Sequence, residues 1–157
     1  MRSPDVLADE FRARGWKLTA QRRLLFTLLH ENDRHPSAEA LHLVAAERMP
    51  GISLRTVYQT LGELVELGDL RIVHLDGGAA RFDPNVDEHH HAQCTVCGNV
   101  FDVYVPELSG LTVAGPTGFH TESTHLVLSG TCASCAGDAA RVPTHPSTHS
   151  HHKEPTS

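Results

Sequence analysis

The first 68 residues carry apolar side chains at the three- and four-residue spacing of amphipathic helices. A short helix is predicted over residues 5–14, and further helices follow the capping residues Thr19, Ser37 and Ser53. The last of them ends at Gly68. The apolar stripes are Val6, Leu7 and Phe11; Leu24, Leu25, Leu28 and Leu29; and Val57, Leu61, Leu64 and Val65.

After the last helix the pattern changes to short extended runs. Residues 70–75 and 79–82 flank the turn Asp76-Gly77-Gly78 and predict a β-hairpin. Helices followed by a hairpin in this order indicate a winged helix-turn-helix. The helix that begins at Ser53 then takes the recognition position and is expected to lie in the major groove of DNA.

Beyond Pro84 the pattern is that of a small mixed domain. Residues 99–105 and 125–128 read as strands, and the glycines and proline between 110 and 118 leave little room for a long helix. Pro, Ser, Thr and His dominate the end of the chain without apolar spacing. The predicted fold class is α+β, with a winged helix over 1–83, a hinge near 83–88, an α/β domain over 84–140 and a disordered His-rich tail over 141–157.

Composition and charge narrow the class of protein. The chain has 157 residues, 39% of them hydrophobic, and no apolar run long enough to cross a membrane. The acidic N-terminus does not resemble a secretory signal, so a cytoplasmic location is expected. Residues 1–84 hold 11 Lys and Arg against 12 Asp and Glu, and residues 85–157 hold 2 against 7. Because neither half is strongly basic, the DNA-binding prediction rests on the first half of the chain and on its motif.

Two Cys-x-x-Cys pairs, Cys94/Cys97 and Cys132/Cys135, indicate a metal site. Thiols in the cytoplasm are kept reduced, which favours metal over the alternative of redox or structural disulfides. Four thiolates close a tetrahedral zinc site, leaving no position for catalysis. We therefore predict structural Zn²⁺ that clamps two distant segments of the second domain.

Several segments in the same order resemble the ferric-uptake-regulator family of metal-dependent bacterial repressors. They are Gly15–Arg22, His35–Glu39, Ile52–Leu61, Arg81–Asp83, His89–Gly98 and Cys132–Cys135. The resemblance covers residues 10–136 or thereabouts. It implies a homodimer that represses transcription by binding an inverted-repeat operator in double-stranded DNA, with no membrane partner and no enzymatic activity.

The family places a regulatory metal between its two domains, and the positions that match are His35, Asp83, His89, His91 and Asp102. Alternation along a strand puts His89 and His91 on the same face. Imidazoles with carboxylates and no thiolate suit Fe²⁺ or Mn²⁺. The zinc-responsive branch resembles this chain less, since it carries a cysteine at the position of Asp83.

Asp102 resembles the peroxide-sensing branch, because the iron-responsive branch more often has glutamate there. The resemblance then implies that peroxide reacts at bound Fe²⁺ and that His35 or His89 gains an oxygen. The alternative is a repressor of metal-uptake genes that senses iron or manganese levels without peroxide chemistry. More distant alternatives are a non-haem iron enzyme with a facial triad and a metal store that uses the histidines of the tail.

A third metal site found in some family members is expected to be lost. Its matching positions are Glu88, His90, Ser109 and Thr124, with Glu107 and His125 close by. His90 is expected to be exposed, as are His30, His42, His74 and His120. Residues 108–118 are rich in Gly and Pro where the family has a helix that supports the dimer.

Seven residues are expected to contact DNA. Arg55 and Gln59 can reach base edges, with arginine favouring guanine and glutamine favouring adenine. Tyr58 is suited to phosphate or thymine-methyl contacts, and core packing is its alternative role. The full set is Lys17, Arg22, Ser53, Arg55, Thr56, Tyr58 and Gln59.

Overall fold

The computed structural model describes residues 1–30, 32–75, 78–105, 115, 118–120, 122 and 124–139. Helices come first and strands follow, which confirms the predicted α+β class. The elements are α1 (Pro4–Ala13), α2 (Ala20–His30), α3 (Ala38–Arg48), α4 (Leu54–Glu66), β1 (Arg71–Val73), β2 (Arg81–Asp83), β3 (His90–Cys94), β4 (Val100–Val103), β5 (Val127–Gly130) and α5 (Ala133–Ala139). Within these residues no helix is long and apolar enough to span a bilayer.

Side-chain caps set the starts of three helices, as the sequence predicts. The hydroxyls of Thr19, Ser37 and Ser53 each accept a hydrogen bond from the backbone N–H three residues on, at 3.3, 3.2 and 3.1 Å. These bonds satisfy N–H groups that the first turn of a helix leaves free. At the other end of α4, Gly68 adopts a φ of +74°, which ends the helix at low steric cost.

The main apolar core lies among α1 to α4. Its largest fully buried side chains include Phe11, Phe26, Leu61 and Leu64. Val6 is 48% exposed, so its predicted place on the buried stripe of α1 is wrong. Leu7, Ala8 and Phe11 bury their side chains instead, which fits the three- and four-residue spacing of a single helix face.

Leu61 anchors α4 in this core and is 1% exposed. Replacing Leu61 with alanine is expected to lower the free energy of unfolding by about 2–5 kcal/mol, because the cavity it leaves adds to the lost burial. Urea unfolding measures the change. Leu43→Ala on α3 is the control, since Leu43 is 68% exposed. Equal losses in the two variants would contradict this packing.

Two antiparallel strands follow the helices and form the predicted wing. In this pair Ile72 of β1 lies opposite Phe82 of β2. Phe82 is buried, and its backbone N–H donates to the carbonyl of Pro36 at 3.0 Å. The wing is therefore fixed to the loop between α2 and α3, and residues 76 and 77 of its turn lie outside the described residues.

The remaining strands form a second sheet in the order β4-β3-β5. β3 runs antiparallel to β4 and parallel to β5, and it places His91 opposite Asp102. β4 falls inside the predicted strand 99–105. β5 begins two residues later than predicted and ends at Gly130, and α5 was not expected. The predicted tail lies outside the described residues, and the proposed domain boundary near residue 84 stays a prediction.

Candidate metal centres

Five side chains from different parts of the fold meet at one place between the wing and the second sheet. They come from the loop before α3, the end of β2, the start and middle of β3, and β4. Each offers one ligand atom, and these atoms all lie within 4.8 Å of one another. The residues are His35, Asp83, His89, His91 and Asp102, the set expected from the sequence.

The ligand atoms face inward at short range. His35 Nε2 lies 2.8 Å from Asp102 Oδ1, and His89 Nε2 lies 2.9 Å from Asp83 Oδ2. The Nε2 atoms of His89 and His91 are 3.1 Å apart. All except Asp102 are buried. Three nitrogens and two carboxylates thus surround a common point away from solvent.

The hydrogen bonding of this cluster is incomplete in a way that fits a cation. His35 Nε2 and Asp102 Oδ1 are buried and have no hydrogen-bond partner, although they lie 2.8 Å apart. The angle between the two groups is therefore unsuitable for a hydrogen bond. Leaving buried polar atoms without partners costs folding free energy. His35 also has a φ of +49°, a strained value for a residue with a side chain. A divalent cation would supply the missing partner for both atoms.

Protons compete with a cation for this site. Burial lowers the pKa of His35, but the close approach and negative charge of the Asp83 and Asp102 carboxylates outweigh this effect, and the net pKa is raised. Burial raises the pKa of Asp83, yet the nearby His35 ring and the hydrogen bond from the N–H of Asn85 bring it below its usual value. Burial, together with the neighbouring His35 and His89, lowers the pKa of His91.

The raised pKa of His35 predicts a pH-dependent metal affinity. Metal binds only the deprotonated imidazole, so a proton must leave His35 before it can act as a ligand. The apparent Mn²⁺ affinity should therefore fall as pH decreases, and the fall should begin above the ordinary imidazole pKa of about 6.5 because the pKa of His35 is raised. Calorimetric Mn²⁺ titrations at several pH values measure this. An affinity independent of pH down to that ordinary value would contradict the assignment of His35.

The sulfur atoms of Cys94, Cys97, Cys132 and Cys135 form the second cluster, again within 4.8 Å of one another. All four are free cysteines, and the sulfurs of Cys97 and Cys132 are 3.8 Å apart, which argues against the disulfide alternative. Backbone N–H groups of Cys132 and Cys97 lower the pKa of Cys94 to about 6. Thiol hydrogen bonds from Cys132 and Cys97 raise the pKa of Cys135 to about 12. Four sulfurs this close can all be thiolates only when a cation balances their charge, and zinc suits them.

The expected DNA-contacting residues of α4 lie mostly on the surface. Tyr58 is 49% exposed, so the alternative of core packing is wrong, and its hydroxyl donates to Glu39 Oε1 at 2.5 Å. Gln59 is exposed and its amide donates to Glu63 Oε1 at 3.1 Å. Arg55 is also exposed. The roles of these residues toward DNA stay predictions, as do those of Ser53 and Thr56, whose hydroxyls lie 2.9 Å apart at the helix start.

Arg22 has different surroundings from those expected of a DNA-contacting residue. Its side chain is buried and forms an ion pair with Glu63 of α4 at 2.7 Å. The guanidinium also donates to the carbonyl of Lys17 and lies 5.5 Å from the centre of the Phe11 ring. This burial does not favour a DNA contact by Arg22, whose role toward DNA stays a prediction. Lys17 itself is exposed.

Among the other histidines, the expectation for His90 is wrong. It is 5% exposed because β3 is the middle strand, and its Nδ1 accepts from the N–H of Leu126 at 3.5 Å. His42 is half-buried, with Nε2 2.9 Å from the carbonyl of Ile52. His30, His74 and His120 are exposed as expected. Two expected members of the third metal site, at 107 and 109, lie outside the described residues, so its loss stays a prediction.

Known proteins match most of this chain. A model of the Ferric uptake regulator family matches residues 13–129. The chain is 35% identical over 131 residues to the ferric uptake regulation protein of Bordetella parapertussis, which covers 81% of this chain and 94% of that protein. It is 29% identical over 124 residues to the peroxide operon regulator of Bacillus subtilis, covering 78% and 86%. The solved zinc-bound manganese uptake regulator superposes with a TM-score of 0.68 at 27% identity, over 83% of this chain and 99% of that one. This chain therefore belongs to the ferric uptake regulator family, whose members are metal-responsive transcription regulators and not enzymes.

Proposed function

We propose that this protein is a metal-dependent transcriptional repressor whose affinity for DNA is set by a removable cation. The observation that carries the proposal is the convergence of five ligand atoms contributed by the loop before α3, the wing and the second sheet. Regulators of this family bind DNA operators and are dimeric. The proposed partners are accordingly a second copy of the chain and an inverted repeat in double-stranded DNA.

The donor sets support two different cations. Zn²⁺ is proposed at Cys94, Cys97, Cys132 and Cys135, where four thiolates leave no open position. Fe²⁺ or Mn²⁺ is proposed at the five-residue cluster, which offers nitrogen and oxygen but no sulfur. The first cation has a structural role, and the second is the exchangeable one that the protein senses.

Geometry links the second cation to DNA binding. His35 precedes α3 and Asp83 ends the wing, whereas His91 and Asp102 lie on paired strands of the second sheet. A cation held by all of them fixes α4 at one position relative to that sheet. In a dimer this sets the spacing of two recognition helices along an inverted repeat. Couplings of this kind typically amount to about 1–3 kcal/mol, or roughly 5–150-fold in affinity.

We further propose that the signal is peroxide. Asp102 supports this branch, since the expected peroxide-sensing ligand set has aspartate at that position. Bound iron would supply the reaction with peroxide that adds an oxygen to His35 or His89. Each of these histidines has Nε2 within 3.6 Å of oxygens of both carboxylates, so losing either one disrupts the whole cluster.

Metal-level sensing without peroxide chemistry is the second candidate. It is favoured by the higher identity to a ferric uptake regulation protein, 35%, than to a peroxide operon regulator, 29%. It requires the same ligands and the same coupling to DNA. The two candidates differ only in whether a ligand histidine is oxidised.

DNA affinity with and without metal tests the common part of the proposal. A preferred duplex is first selected from a random pool with the Mn²⁺-loaded protein. Its affinity is then measured by fluorescence anisotropy at one fixed salt concentration, with and without Mn²⁺. We expect Mn²⁺ to tighten binding by roughly 5–150-fold. Equal affinities would contradict metal-dependent repression.

Mass spectrometry separates the two candidates. The Fe²⁺-loaded and Mn²⁺-loaded proteins are treated with dilute peroxide and digested. One added oxygen on the peptide of His35 or His89, in the iron sample alone, supports peroxide sensing. Unmodified histidines in both samples would support metal-level sensing.

A further inference from the structure

Asn85 contacts both carboxylates of the five-residue cluster but is not a member of it. It lies between Asp83 and His89 in the chain. Its backbone N–H donates to Asp83 Oδ1 at 2.8 Å. Its side-chain amide donates to Asp102 Oδ2 at 2.6 Å and to the Tyr104 hydroxyl oxygen at 3.0 Å. No expectation from the sequence included this residue.

At Asp102 these bonds engage one oxygen, Oδ2, and leave the other to the histidines. At Asp83 the bonded oxygen, Oδ1, also lies 3.3 Å from His35 Nε2. The remaining oxygen of Asp83, Oδ2, lies 2.9 Å from His89 Nε2 and 3.4 Å from His91 Nε2. The remaining oxygen of Asp102, Oδ1, lies 2.8 Å from His35 Nε2 and is buried without a hydrogen-bond partner. Only Asp102 therefore has one oxygen facing the histidines and the other held by a side chain outside the cluster.

We propose that Asn85 is a positioning residue whose side chain presents Asp102 to the cation through a single oxygen, Oδ1. The inference rests on the proposed function, since it assumes that the cluster binds a regulatory cation. A carboxylate with both oxygens free can bind a cation through one or two of them. A hydrogen bond of 2.6 Å to Asp102 Oδ2 holds that oxygen away from the centre.

The amide of Asn85 is oriented by its own partners. Its Oδ1 accepts from the backbone N–H of Asp87 at 3.2 Å, so Nδ2 is the atom that faces Asp102 and Tyr104. Reversing the amide would bring Oδ1 against the carboxylate of Asp102 and would lose the bond from Asp87. An aspartate at position 85 would repel Asp102, whereas the neutral amide donates without adding charge.

Asn85 also connects the two parts of the fold that the site joins. Its backbone N–H donates a hydrogen bond to the carboxylate of Asp83 at the end of β2, and its side-chain amide donates one to the carboxylate of Asp102 on β4. The ligands are thereby held near their final positions before a cation arrives. Partners of metal ligands commonly contribute 10- to 100-fold in metal affinity, on the order of what we expect here.

The test compares Asn85→Ala with wild type by Mn²⁺ titration of the full-length, zinc-containing protein. The substitution keeps the backbone bond to Asp83 and removes only the side-chain bonds. We expect Mn²⁺ to bind about 10- to 100-fold more weakly. The electron paramagnetic resonance spectrum of bound Mn²⁺ should also change, because Asp102 is free to offer its second oxygen. Asn99→Ala is the control, as Asn99 is an exposed asparagine that is not a member of the five-residue cluster.

The outcomes separate this inference from the proposed function. If wild-type protein does not bind Mn²⁺, the proposed function fails and the inference fails with it. If wild type binds Mn²⁺ while Asn85→Ala binds within about threefold and gives the same spectrum, the inference alone is overturned. An equal loss in Asn99→Ala would also overturn it, since the effect would then be one of general stability.

Discussion

Replacing Cys132 with serine is expected to unfold the second sheet while the helical core stays folded. The four-cysteine cluster joins the end of β3 to the turn after β5, and 34 residues separate Cys97 from Cys132. All four residues of β5 are exposed, so the strand has little apolar burial to hold it in the sheet. Structural zinc contributes about 10–16 kcal/mol of apparent binding free energy that is coupled to folding. We expect this contribution to decide whether β5 stays paired with β3.

Thermal unfolding followed by circular dichroism, together with zinc content, measures this effect. Wild type should hold one zinc ion per chain that a strong chelator removes with loss of sheet signal. Ser129→Ala is the control, because Ser129 is an exposed residue of β5 that offers no ligand. A Cys132→Ser protein with the wild-type unfolding midpoint would contradict the structural role of the cysteines.

Replacing His89 with alanine is expected to abolish the effect of metal on DNA affinity. His89 Nε2 lies 2.9 Å from Asp83 Oδ2 and 3.1 Å from His91 Nε2, so it contacts ligands from both sides of the site. Its other ring nitrogen, Nδ1, donates to the carbonyl of Asp87 at 2.8 Å. This bond fixes the tautomer that leaves Nε2 free to bind a cation. In wild type, Mn²⁺ should raise DNA affinity by roughly 5–150-fold. In His89→Ala the affinities with and without Mn²⁺ should be equal.

Fluorescence anisotropy on the selected duplex, with and without Mn²⁺, gives the gain for each variant. His30→Ala is the control, because His30 is an exposed residue at the end of α2. Zinc content should be unchanged in both variants, since neither histidine belongs to the cysteine cluster. A His89→Ala protein that keeps the wild-type gain would show that the five-residue cluster does not control DNA binding.

Short sequence patterns predicted much of this fold. A hydroxyl residue before an apolar run specifies a helix start within a few residues, and the caps at Thr19, Ser37 and Ser53 are all present. Paired Cys-x-x-Cys motifs indicate a metal site without any knowledge of the fold. The regulatory set was harder, because His35 and Asp102 are 67 positions apart and only the family resemblance selected them.

The differences between the sequence-based expectations and the structure share a physical cause, which is contact between residues distant in the chain. Arg22 resembles a surface cation until Glu63, 41 positions away, is seen to pair with it. His90 alternates with two ligands and was expected to be exposed, but strands on both sides of β3 bury it. No sequence pattern points to Asn85, since its proposed role depends on the 2.6 Å hydrogen bond from its Nδ2 to Asp102 Oδ2. Such pairings are decided by tertiary structure and not by local pattern.

The location of bound Mn²⁺ tests the account most directly. Crystals of the zinc-containing protein grown with Mn²⁺ would be measured on both sides of the manganese absorption edge. The proposed site predicts one manganese-specific anomalous peak per chain, bonded to His35 Nε2, His89 Nε2 and His91 Nε2 together with one oxygen each from Asp83 and Asp102. A peak elsewhere, or a cluster that stays without manganese at saturating concentration, would contradict it.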